Sequence, residues 1–159
     1  MRGITLIELL IALAILALVF VVVGICFISA QTAYQKQTIK VELIKEAQWA
    51  MKFICNELRG AQLNSIPSGW NRDYIRFRLR GGTQIIYQRD STQPSLLCRC
   101  EGTGTCQCST PDSSRAPMAQ FVRSINFQRE LGEKVVEITL TLEKDNYFYT
   151  LHSGVKPRN

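Results

Sequence analysis

The 159-residue chain has one histidine, His152. That scarcity excludes most histidine-dependent acid–base and metal chemistry. No G-x-S-x-G, H-E-x-x-H or P-loop occurs, so a nucleophile elbow, a zinc-protease helix and a nucleotide cradle are excluded too. No catalytic residue and no cofactor is expected. Charge is missing over a long stretch: between Glu8 and Lys36 there is no Asp, Glu, Lys or Arg. Helix breakers are missing over a longer one. The first proline is Pro67, and Gly24 is the only glycine between Gly3 and Gly60. A chain without breakers over its first third can run as one uninterrupted helix.

What fills the uncharged stretch is "ITLIELLIALAILALVFVVVGICFISA", Ile4 to Ala30. It exceeds the roughly 20 residues that carry a helix across hydrocarbon and is longer than a secretory signal core. No small-residue cleavage site with polar flanks follows it. Within it stands a single carboxylate, Glu8. An ionisable group inside a span is costly and marks a functional role or a partner. Only the α-amine and Arg2 precede the span, whereas Lys36, Lys40, Lys45 and Lys52 follow it. A positive-inside count alone would keep the rest of the chain in the cytoplasm, but long domains translocate largely regardless of charge.

From Lys36 to Gln62 apolar residues recur in steps of three and four: Val41, Ile44, Ala47, Met51, Ile54, Leu58 and Ala61. This is one stripe of an amphipathic helix that continues the span and lies on a sheet. Pro67 and Gly69 in "NSIPSGWNRD" end it. Strands follow in "YIRFRLR", "TQIIYQR", "SLLCRC", "FVRSINFQRE", "KVVEITLTLE" and "YFYTLHS", with "GG" and "KDN" as tight turns and "EGTGTCQCSTPDSSRAP" as a turn-rich insertion. "GVKPRN" is expected to add a last short element at the edge. The expected fold class is α+β, a long N-terminal helix on an antiparallel β-meander. Its divisions are 1–3, a span over 4–30, an amphipathic continuation over 31–62, and a sheet domain over 63–159 with a Cys-rich loop at 98–108.

Gly3, Thr5, Leu6, Ile7, Glu8 and Leu9, followed by the apolar run, resemble the N-terminus of type IV pilins and of the pseudopilins of type II secretion systems. "MKFICNELRGAQ", "IIYQRD" with "SLLCR", "FVRSINF" and the terminal "RN" resemble PilW-type minor pilins and J-type minor pseudopilins. The resemblance implies a pilin fold and cleavage of a short leader between Gly3 and Ile4 by a prepilin peptidase. It also implies N-methylation of Ile4, and a role for Glu8 in assembly as the partner of a neighbouring subunit's N-terminal ammonium. An unpaired carboxylate in an apolar bundle is costly, and a complementary ammonium recovers much of that cost. Ile4 stands where the family usually has phenylalanine. The leader Met1-Arg2-Gly3 has one basic side chain, and a start further upstream would supply more. The implied partners are other pilins or pseudopilins in a helical filament, the inner-membrane assembly platform and the lipid bilayer. The implied location is the inner membrane, N-terminus cytoplasmic and C-terminal domain periplasmic.

Four of the six cysteines form "CRCEGTGTCQC", two Cys-x-Cys arms about a turn. Alternate strand residues share a face, so a hairpin would oppose Cys100 to Cys106 and Cys98 to Cys108 as two nested disulfides in an oxidising compartment. A tetrathiolate metal site on Cys98, Cys100, Cys106 and Cys108 is the alternative, and four free thiols a third. Cys26 lies in the span as a small apolar side chain, and Cys55 has no evident partner. Arg76, Arg78 and Arg80 alternate along one strand and, with the net charge of +6, form a candidate contact for nucleic acid or another polyanion. Phe77 faces away from them and is expected in the core; a solvated strand face accounts for the same pattern. Three functions follow: a filament subunit, a tip subunit binding DNA or a surface, and a membrane-anchored metal or redox domain.

Overall fold

The computed structural model describes residues 5–102, 106, 108 and 115–158. One α-helix, α1, runs from Leu6 to Arg59, and the chain divides into two compact units, Met1–Thr38 and Ile39–Asn159. In the first unit no described side chain is buried, and the large apolar residues from Leu6 to Ile28 are all exposed. This helix is long and apolar enough to cross a membrane by length and composition.

The second unit is α+β. From Ile39 onward α1 buries Leu43, Ala47, Ala50, Met51, Ile54, Cys55 and Leu58. The stripe is therefore rotated from the sequence reading: Val41 is exposed and Ile44 half-buried. Steps of three and four from Leu43 carry small Ala47 and Ala50 into the core, where both are fully buried. The helix ends at Arg59, three residues before the expected Gln62. Gly60 and Ala61 close on the carbonyls of Glu57 and Leu58 with i→i+3 bonds. Ala61 then bridges to Leu79, and Gln62 N donates to Arg78 O. A short 3-10 turn, Leu63–Ser65, follows.

Eight strands follow: β1 Trp70–Arg72, β2 Ile75–Arg78, β3 Gln84–Arg89, β4 Leu97–Glu101, β5 Arg115–Ala119, β6 Val122–Arg129, β7 Val136–Lys144 and β8 Tyr147–Val155. They form two antiparallel four-stranded sheets, β1-β6-β7-β8 and β2-β3-β4-β5, where one meander was expected. The chain passes between the sheets twice, at Asp73–Tyr74 between β1 and β2 and at Gln120–Phe121 between β5 and β6, where Phe121 takes φ 60. Two strands were not anticipated. β1 is three residues long and only partly covered. β5 contains Pro117, tolerated because β5 is an edge strand. The expected terminal element is absent among the described residues: Gly154 and Val155 complete β8.

β7 and β8 join through Asp145 and Asn146 at φ 50 and 64, the two left-handed residues a tight hairpin demands and Asp and Asn tolerate. Ile138, Leu140 and Leu142 of β7 face the core with Ile125 and Phe127 of β6; Ile75, Phe77, Ile85 and Leu97 line it from the other sheet. Each fully buried aliphatic side chain contributes about 1.5–3 kcal/mol, so Leu58→Ala would cost about 2–5 kcal/mol.

A polar cluster keys the β2–β5 sheet to the helix. The Tyr87 hydroxyl donates to Glu57 Oε2 at 2.6 Å. Arg99 donates through Nε to both Glu57 oxygens, at 2.9 and 3.1 Å, and through Nη2 to Glu101 at 2.9 Å. Burial and the Glu57 carboxylate push the Tyr87 phenol well above its ordinary pKa. Burial opposes the Arg99 charge, but the bonds to Glu57 and Glu101 outweigh it and raise the guanidinium pKa. Both groups therefore keep their protons across the physiological range.

Candidate functional site

Glu8 lies in the first turn of α1. Its Oε2 accepts from Thr5 N and from Thr5 Oγ1, each at 2.9 Å. Thr5-Leu6-Ile7-Glu8 is thus one half of a capping box, with the glutamate reaching back to an orphan amide of the helix start. The sequence carried that signal, a Thr three residues before a Glu at the head of an apolar run, and the reading passed over it. Both bonds fall on Oε2; Oε1 has no hydrogen bond among the described residues. Gly3 and Ile4, the expected cleavage and methylation positions, lie outside the described residues.

The cysteine cluster sits on the face of the β2–β5 sheet opposite the helix. Cys98 is bonded to Cys108 and Cys100 to Cys106, with Cα atoms 5.7 and 5.5 Å apart. All four are buried with Ile86 in a second, small apolar cluster. The arms do not pair as the two strands of a hairpin. β4 is flanked by β3, with Ile86 opposite Cys100, and by β5, with Cys98 opposite Pro117 and Cys100 opposite Arg115. Both ladder sides of β4 are occupied, so Cys106 and Cys108 reach its cysteines from above the sheet.

Asp90, which the sequence reading did not single out, pins this arrangement. It is 2% exposed, the one buried acidic or basic side chain among the described residues. Oδ1 accepts from Thr92 N at 2.7 Å, Thr92 Oγ1 at 2.6 Å and Gln93 N at 3.1 Å. Oδ2 accepts from Cys108 N at 2.6 Å. The Thr92 hydroxyl, helped against burial by the amides of Thr92, Gln93 and Cys108, holds the carboxyl well below the usual carboxylate range. A carboxylate oxygen of Asp90 and the sulfurs of Cys98 and Cys108 lie within 4.8 Å of one another. While the sulfurs are bonded in pairs, none is a thiolate that could ligate a metal.

The arginine row divides. Arg76 and Arg78 are exposed on the cysteine-bearing face of the sheet. Arg80 lies past the strand end and lines a hollow with Asn56, Arg59, Gly60 and Arg158. Phe77 is buried on the opposite face, stacked on Tyr87 with centroids 6.2 Å apart. No exposed aromatic therefore alternates with these arginines. His152 is exposed and bonds Thr139 Oγ1 through Nδ1 at 2.9 Å. Cys55 is buried, its Sγ 3.4 Å from Ser153 Oγ.

Of these features, the apolar helix opening on Thr5 and Glu8 has a counterpart among known proteins. Residues 1–24 match the prokaryotic N-terminal methylation motif. The methylation motif is the prepilin-type signal of type IV pilin-like chains, and it supports a pilin or pseudopilin subunit that is a prepilin-type substrate and assembles with other pilins. With the exposed apolar helix that follows it, the methylation motif fits a membrane-anchored chain. No curated protein and no solved structure matches the chain.

Proposed function

We propose that the chain is a minor pilin or minor pseudopilin, a structural subunit that joins or primes a type IV pilus or a type II secretion pseudopilus. It inserts in the inner membrane with its N-terminus cytoplasmic and its C-terminal domain periplasmic. A prepilin peptidase cuts between Gly3 and Ile4, and Ile4 is methylated. The observation that carries this reading is the methylation motif at the head of an exposed apolar helical stretch in which Glu8 is the one acidic side chain before Glu42. Among the described residues Glu8 uses only Oε2, to cap its own helix. Oε1 is left for the ammonium of a neighbour, and in an apolar filament core that pairing sets the register between subunits.

The test is Glu8→Val in the full chain. Insertion is preserved, because an apolar side chain enters hydrocarbon more easily. Incorporation into sheared filaments, or co-purification with the other subunits, is reduced. Equal incorporation of variant and wild type overturns the role of Glu8.

A further inference from the structure

Two exposed surfaces of the Ile39–Asn159 unit are apolar at their centres and opposite in charge. One is the face of α1 turned from the sheets. Trp49 is 54% and Phe53 38% exposed, with ring centroids 6.0 Å apart, and Lys45 and Lys52 are exposed beside them. Among the described residues neither lysine has an ion-pair partner. Glu42 is engaged by Lys144, and Glu46 accepts from Gln120 N. An exposed tryptophan and phenylalanine on one helix face are a large apolar investment for a surface that meets only water.

The other surface is the turn between β6 and β7. Gly132 at φ +86 shapes it, and Leu131 at its tip is 83% exposed. A hollow of about 340 Å³ beside it is lined by Gln128, Glu130, Glu133, Val135 and Glu137. Those three carboxylates have no ion-pair partner among the described residues. The turn also contains Lys134. The Arg129 guanidinium is committed to the carbonyls of Leu63, Ile66 and Glu133. The turn therefore offers an apolar knob within an acidic rim.

We propose that these surfaces are the two halves of one contact between copies of this chain. The Trp49–Phe53 face of one copy docks on the Leu131 turn of the next, and Lys45 and Lys52 meet Glu130, Glu133 and Glu137. A rigid aromatic anchor supplies the binding energy and the charges fix orientation. The halves are different surfaces, so the contact is heterologous: it does not close on two copies but continues from each to the next. The inference rests on the filament-subunit reading for its setting, and on the chain joining the filament at successive positions rather than priming it as a single copy.

The test places p-benzoylphenylalanine at position 49 of the full chain, co-expresses two differently tagged copies and irradiates intact membranes. The expected adduct joins position 49 of one copy to the peptide spanning residues 128–137 of the other. Lys45→Glu with Lys52→Glu lowers its yield about tenfold, and a partner copy carrying Glu130→Lys and Glu133→Lys restores it. All four positions are exposed, and intact disulfides in the same peptide maps confirm folding. An adduct elsewhere, an adduct only to another protein, or a yield indifferent to charge reversal overturns the proposal. Subunits that enter filaments without this adduct refute the contact and leave the filament reading standing. The adduct in chains that never enter filaments does the reverse.

Discussion

Asp90→Asn removes one oxygen acceptor and leaves the shape of the side chain unchanged. Among the described residues Asp90 accepts from four donors, three through Oδ1 and Cys108 N through Oδ2. The least costly amide orientation keeps its oxygen toward Thr92 and Gln93 and sets its NH2 against the Cys108 amide, donor to donor. A hydrogen bond to a charged group contributes about 1.5–3 kcal/mol, and a buried amide left without an acceptor costs about 1–3 kcal/mol. A net loss of about 2 kcal/mol, borne locally by the segment over β4, raises the open population about 30-fold. The Cys98–Cys108 bridge is buried, so a soluble thiol reaches it through that opening. The assay is the rate at which this bridge is reduced in the full chain, followed by alkylation and peptide mapping. We expect about a 30-fold acceleration. The pH dependence is a second readout. The folded pKa of Asp90 lies below its unfolded value of about 3.9, so the carboxylate's contribution is complete above about pH 4 and is lost as pH falls from there toward the folded pKa. Wild-type protection therefore falls in acid, and that of Asp90→Asn does not change there. A reduction rate within about twofold of wild type would refute the pinning role.

Three further outcomes follow from the same geometry. Arg99→Ala strands Glu57 against the sheet and lowers the unfolding free energy by about 3 kcal/mol, since breaking a largely buried pair leaves one charge uncompensated. In a thermal melt Arg99→Lys recovers only part of this, because lysine lacks the fork that engages both Glu57 oxygens. Glu8→Gln keeps an acceptor for the Thr5 amide but removes the charge, so filament incorporation falls while helix content by circular dichroism is unchanged; normal incorporation would reduce Glu8 to a cap. Serine at all four of Cys98, Cys100, Cys106 and Cys108 unseats residues 106 and 108 and leaves the helix-on-sheet core with its cooperative melt, because Ile86 and the four cysteines form a small cluster separate from that core.

The features legible in the sequence were those fixed by neighbours along the chain. The missing charges between Glu8 and Lys36 gave the apolar helix, the alternation from Val136 to Glu143 gave β7, and Asp145-Asn146 gave its turn. What failed depended on partners far away in sequence. Val41 and Leu43 both fit a helical period, and only the position of the sheets decides which is buried. β5 holds Pro117 and reads as loop until its edge position is known. One meander and two sheets have nearly the same strand sequence, and the difference rests on two crossings, one between β1 and β2 and one at Phe121. Within the candidate site, Asp90 heads a turn-like "DSTQP", but its bond to Cys108 spans 18 residues, and Glu57 and Arg99 are 42 apart. The Thr5–Glu8 cap was local and readable.

N-terminal mass spectrometry of the protein extracted from filaments tests the central claim most directly. A filament subunit bearing a working methylation motif has a mature chain that begins at Ile4 with a methylated amine, and Gly3→Arg leaves it uncut and outside the filament. An intact Met1 in assembled filaments would contradict the account.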